Sequence, residues 1–298
     1  SAQTPMEIEN CDISFDPSVY NDETLSLDGT TVAYRAYRSR VYVEHPENAA
    51  YQSMNIFVPM AYFEGGSING YTAATAPIFL PNGVGGYMPG EASEPKEKDR
   101  MTGEANAALT ALSRGYVVAA PAIRGRTTTD EAGVFVGKAP ALIVDYKAAV
   151  RYLRHNKHRL PAGDTEKIIS DGTSAGGALS ALLGATGNSE DYAPYLRQIG
   201  AAEERDDIFA SAVYCPITNL EHADMAYEWI FNGINDYHQS TLPKPPTAAS
   251  AIAPTEDATP ATQNERPDNA PLDTKESVPM SEAAVSASAE LKAMFPAY

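Results

Sequence analysis

The sequence predicts an α/β fold built on a mostly parallel sheet, and three observations carry that prediction. Short apolar runs of strand length alternate with stretches whose apolar residues recur at helical spacing, a pattern that implies parallel strands joined by helical crossovers. A Val-, Tyr- and Thr-rich run over 30–43 has the two-faced alternation of a half-exposed antiparallel edge. The run Asp171-Gly172-Thr173-Ser174-Ala175-Gly176-Gly177 places a serine between glycines where a strand hands over to a helix.

Within 30–43, Val32, Tyr34 and Ala36 share one face of an extended chain and Tyr37, Val41 and Val43 the other. This fits either a strand pair or one strand with an irregularity near Ala36. Met54 to Pro59 and Ala76 to Pro81 are short apolar runs closed by proline and read as strands, the second opening into a glycine-rich loop. Ala105, Ala108, Leu109 and Leu112 follow at helical spacing, and Gly115 to Pro121 reads as a buried strand. From Ala139 to Leu160 the spacing of Leu142, Ile143, Tyr146, Ala149, Val150 and Leu153 predicts an amphipathic helix with Lys147, Arg151, Arg154 and Lys157 outward. Lys167 to Ser170 is a short buried strand, Ala178 to Leu183 a helix with apolar residues on successive turns, and Phe209 to Ile217 a further strand.

A Gly-x-Ser-x-Gly turn between strand and helix lifts its serine where a histidine can take the hydroxyl proton, without which serine is a poor nucleophile. Ser174 is therefore the candidate nucleophile, and the whole reads as the α/β-hydrolase plan. Such chemistry also needs donors for the developing oxyanion. One is the amide of Ala175, directly after the serine. The other comes from the loop Pro81-Asn82-Gly83-Val84-Gly85-Gly86-Tyr87-Met88-Pro89-Gly90, after the strand expected beside that of Ser174, with Gly86 the choice and Gly85 the alternative. Arg124, also after a strand end, reads as a structural ion-pair residue rather than a phosphate ligand, since no GxxxxGK[ST] run or strand-linked GxGxxG is present.

The triad acid and base are not assigned. In α/β hydrolases they follow the serine in the order acid, then histidine. Only His222 and His238 lie downstream of Ser174, and neither stands after a later strand of the expected kind. His155 and His158 fall near the basic end of a helix and His45 in a turn. No histidine and carboxylate cluster has zinc spacing, and no metal or cofactor is implied. Trp229 lies in the aromatic run Tyr227 to Phe231, which suits a substrate wall and a packed lid equally.

With 298 residues and 43% hydrophobic composition the chain can bury one large core. A formal charge of −17, from 22 Lys+Arg against 39 Asp+Glu, disfavours nucleic acid and anionic membrane surfaces as partners. Cys11 and Cys215 match no metal spacing, and Cys215, in an apolar run, reads as a buried core thiol. No stretch has the length of a membrane span. The beginning at Ser1 without methionine fits a cleaved leader or a trimmed tag, so the expectation is a soluble protein, secreted or periplasmic. Residues 1–239 are expected to form the core and 240–298, rich in Pro, Ala, Ser, Thr and acidic residues, the start of a lid insertion with one helix over 281–295.

Three segments together resemble bacterial tannases: Gly172 to Gly177, the loop Val84 to Gly90, and the long block Tyr214 to Ile217 through Glu221 to Asp236. The resemblance runs from about residue 25 to 239. It implies an α/β-hydrolase fold with a lid and hydrolysis of galloyl esters to gallic acid by a Ser-Asp-His triad. By position Ser174 would be the nucleophile and Gly86 and Ala175 the oxyanion hole. The family's last strands, triad aspartate and histidine lie in a part with no counterpart here, so the expectation is a second fragment carrying the rest of the domain. A hydroxycinnamoyl (feruloyl) esterase, and a base-less scaffold that binds aromatic ligands, are the competing expectations.

Overall fold

The computed structural model describes residues 10–237 and 278–294. The chain divides into two compact units, Ser1–Thr218 and Asn219–Tyr298. This places the boundary well before the expected 239, so the aromatic block after Asn219 belongs with the second unit rather than with the core.

The first unit is built on a seven-stranded sheet in the order β1-β2-β3-β5-β4-β6-β7. Its strands are β1 (Asn21–Leu27), β2 (Thr30–Val41), β3 (Ser53–Pro59), β4 (Pro77–Pro81), β5 (Val117–Pro121), β6 (Asp164–Thr173) and β7 (Ala210–Tyr214). β1, β2 and β3 run antiparallel in turn, and β3 is antiparallel to β5. β5, β4, β6 and β7 are parallel neighbours, as crossovers through helices require. The run read over 30–43 is the second alternative, one strand with an irregularity, and a further strand before it, β1, pairs with β2 across the turn at Asp28-Gly29. The register between β2 and β3 then shifts between Tyr37 and Arg40, where Ser39 takes a φ of 56°.

Each face of the sheet is covered. On one, Val32, Tyr34, Ala36, Phe57, Phe79 and Val118 pack against α1 (Ala107–Ser113), whose first turn is capped by Asn106 accepting from the Leu109 N–H. On the other, Tyr37, Ile56, Ile78, Leu80 and Ile168 pack against α2 (Ala141–His155) and α3 (Ala175–Ala185). Each fully buried Leu or Ile side chain contributes roughly 1.5–3 kcal/mol.

The expected outward face of α2 is corrected. Lys147 is fully buried and Arg154 nearly so, because α4 (Ala193–Gln198) and the segment around Asp206 cover the side turned away from the sheet. Lys147 Nζ pairs with Asp206 at 2.9 Å, Arg151 binds the other carboxylate oxygen at 2.8 Å, and Arg154 donates to the carbonyls of Arg205 and Thr165. Among the described residues no helix is long and apolar enough to cross a membrane.

In the second unit, α5 (Ala223–Phe231) and α6 (Glu282–Met294) pack together, with Asn232 Nδ2 donating to Ser288 Oγ at 3.0 Å, and β8 (Asp236–Tyr237) pairs with β9 (Val278–Pro279). α6 accounts for the helix expected over 281–295; most of the expected lid, 240–277, lies outside the described residues.

Candidate active site

Because β4, β5, β6 and β7 are parallel, their C-terminal ends and the loops that follow gather at one edge of the sheet, where α/β proteins place their ligands. Ser174 stands there, between the last residue of β6 and the first of α3. Its φ of 59° and ψ of −120° lie where only glycine is at ease, a conformation that costs about 1–3 kcal/mol and marks functional turns.

The turn is held on both sides. Ser174 N donates to Tyr214 O at 2.9 Å, and Ser174 O accepts from Ala178 N at 3.0 Å and Ile217 N at 3.4 Å. The surrounding glycines are required by close approach. A Cβ on Gly172 would lie 2.1 Å from Gly176 O, one on Gly176 2.7 Å from both Asn82 Oδ1 and Val84 O, and one on Gly177 2.6 Å from Tyr214 O. Beneath the turn, Ser180 Oγ on α3 lies 2.6 Å from Ser170 Oγ on β6, which lies 3.0 Å from Ser211 Oγ on β7.

The glycine loop leaves the adjoining strand β4. Gly86 and Tyr87 have φ of 57° and 58°, and Met88 N donates to Gly85 O at 3.0 Å, a tight turn with two left-handed central residues. Tyr87 braces it, its hydroxyl 3.4 Å from Ile217 O and its carbonyl accepting from Arg126 N at 2.9 Å. A Cβ on Gly86 would meet nothing within 4 Å, so space is open around that position. The amides of Ala175, Gly176 and Gly177 occupy the first turn of α3, where no intrahelical carbonyl is available to them, and a helix N-terminus favours negative charge.

Arg124 is the ion-pair residue expected. It is buried against Asp145, with Nε at 2.9 Å and NH2 at 2.8 Å from the two carboxylate oxygens, and it also binds Glu47 and the Val136 carbonyl. Cys215 departs from expectation: it is exposed, with a φ of 45°, because the chain turns sharply as it leaves β7. Asp171, three residues before Ser174, is half-buried, and that burial raises its carboxyl above the usual carboxylate range.

The histidines are placed elsewhere. His155 and His158 are exposed at the end of α2, and the backbone N–H of His45 is bonded to Ile199 O. His222 belongs to the second unit, its Nδ1 3.0 Å from Asn219 Oδ1, and His238 lies outside the described residues. Among the described residues no histidine is hydrogen-bonded to the Ser174 hydroxyl, and no group of His, Cys, Asp and Glu could hold a metal ion. The residue that sequence reasoning passed over is Asn82, buried between the glycine loop and the Ser174 turn; an asparagine directly after a strand end was the available signal.

Sheet order, crossovers and the strained strand-to-helix turn define an α/β hydrolase. Within that class the chain belongs to the BD-FAE family of esterases, whose model matches residues 85–262. Among solved structures it is similar to the tannase of Fusobacterium nucleatum, with 47% identity over 96% of this chain and 56% of that one and a TM-score of 0.79. It is similar also to the tannase of Lactobacillus plantarum, with 48% identity over 95% and 56% of the two chains and a TM-score of 0.76. A tannin acyl hydrolase in complex with ethyl gallate matches with 54% identity over 76% and 49%, and a TM-score of 0.70. The chain thus spans about half the length of the tannases it matches. No curated protein matches it.

Proposed function

We propose that this chain carries the nucleophile and the oxyanion hole of a carboxylic ester hydrolase acting on galloyl esters. The observation that carries the reading is the Ser174 turn: a serine strained at φ 59° and ψ −120°, at the C-terminal end of a parallel strand and the head of a helix. The identity of 45–54% to tannin acyl hydrolases, one solved with ethyl gallate and another with 3,4-dihydroxybenzoate, supports a phenolic acyl group.

In this reading Ser174 Oγ attacks the ester carbonyl as its proton passes to a base. The carbonyl oxygen takes up the negative charge and is held by the Gly86 and Ala175 N–H groups. The C–O bond to the alcohol then breaks, the alcohol leaves with the proton, and water releases the phenolic acid from the acyl-serine. Each oxyanion donor is worth about 10²–10³ in kcat. The acid and base come from a further polypeptide segment in this reading; among the described histidines none is hydrogen-bonded to the Ser174 hydroxyl. Residues 240–298 serve as the start of a lid in this reading.

The test is turnover of methyl gallate against methyl ferulate by the complete protein, with labelling of Ser174 by a fluorophosphonate. Faster turnover of the gallate, with labelling lost in Ser174→Ala, is expected. Equal rates would favour a broader hydroxycinnamoyl esterase, and an unlabelled Ser174 in the complete protein a binding scaffold without catalysis.

A further inference from the structure

The two proposed oxyanion donors stand on different elements, Gly86 on the loop after β4 and Ala175 at the head of α3, so the hole exists only if something fixes one against the other. Asn82 is placed to do so. It follows β4 directly and is 8% exposed. Its Nδ2 donates to Asp171 O and Gly176 O, both at 3.0 Å, and its Oδ1 accepts from Val84 N at 3.1 Å. Its own N–H donates to Asp171 O at 3.0 Å.

One planar amide therefore binds the strand three residues before Ser174, the α3 turn one residue after Ala175, and the loop two residues before Gly86. The glycines make room for it: a Cβ on Gly172 would come within 2.6 Å of Asn82 Nδ2, and one on Gly176 within 2.7 Å of its Oδ1. From below, the buried Tyr146 hydroxyl ties the end of β4 by donating to Leu80 O at 2.5 Å.

From this geometry, and resting on the ester-hydrolase reading above, we infer that Asn82 is the positioning residue that sets the spacing of the oxyanion hole. It touches no substrate; it acts through the two donors. Only a primary amide supplies two donors and an acceptor in this plane. A carboxylate in its place would face two carbonyl oxygens it cannot bind, and alanine would leave both carbonyls and the Val84 N–H without their partner.

A hole misplaced by an ångström fails in the transition state more than in the ground state, so the expected loss is about 10–100-fold in kcat. The experiment uses the complete protein with methyl gallate, phenylboronic acid as a mimic of the tetrahedral adduct, and gallate as product. In Asn82→Asp and Asn82→Ala, kcat should fall by that factor, KM should stay within about twofold, and boronate affinity should fall in parallel with kcat while gallate affinity holds. Val118→Ala, in the core on the α1 face, is the stability control: it should lower Tm without this split. Should Asn82→Ala fail to fold, the near-isosteric Asn82→Asp carries the test alone. An Asn82→Asp protein that keeps kcat and boronate affinity, or that changes only KM, overturns the inference. Wild type that neither turns over methyl gallate nor reacts with a fluorophosphonate overturns the ester-hydrolase reading first, and the inference with it.

Discussion

Gly172 has no room for a side chain, since a methyl there would sit 2.1 Å from Gly176 O in the backbone of the next helix. The nearest atoms are backbone and cannot swing aside, so Gly172→Ala is expected to cost about 3 kcal/mol, read as a shift in urea midpoint. Asp171, its neighbour, gives a pH signature. Burial raises its folded carboxyl above the ordinary aspartate value of 3.8, so below that value the protonated group costs the fold nothing. As pH rises through the raised folded value, stability is lost. Tm of Asp171→Asn against wild type should therefore show a gain that grows as pH climbs from 3.8 and then levels off. The strand-to-helix turn at Ser174 was legible in the sequence because its motif is local: glycine, serine and glycine lie within five positions. Asn82 was not, because its partners Asp171 and Gly176 lie 89 and 94 residues away. Cys215 misled for the opposite reason: an apolar run predicts burial, but the chain turns at that residue, and its φ of 45° leaves it exposed.

Helix α2 shows what periodicity captures and what it misses. Its apolar stripe was read correctly, and Tyr146, Ala149, Val150 and Leu153 are all buried. Its basic residues were assigned to solvent, because periodicity records that a residue is charged and not that Asp206 waits 59 positions later to receive Lys147. Asp206 also takes Arg151 and the Asn188 N–H, whereas Lys147 has, besides Asp206, the Thr186 carbonyl. Removing the shared acceptor is therefore worse than removing one donor. Asp206→Asn should cost about 3–5 kcal/mol because it strands a buried cation, and Lys147→Met distinctly less, both measured by denaturant unfolding. At the sheet edge the alternation of Val32, Tyr34 and Ala36 was legible, but β1 was not, since only two apolar residues, Leu25 and Leu27, mark its inward face among polar ones.

Across the whole molecule the strand and helix succession was readable because α/β crossovers repeat one local pattern, and the tannase resemblance reappears as 45–48% identity over 94–96% of the chain. The unit boundary was less legible: composition changes near 239, yet the compact core closes at Thr218, soon after β7. Fold and chemistry also pull in different directions at one place. Ser174 occupies a backbone conformation that suits glycine, so Ser174→Gly is expected to raise Tm, by the equivalent of about 1–3 kcal/mol, while abolishing fluorophosphonate labelling. Folding alone would let this position drift toward an inert, sturdier protein. A serine at that position runs against the molecule's own thermodynamic preference, and that is the stability cost the proposed nucleophile carries.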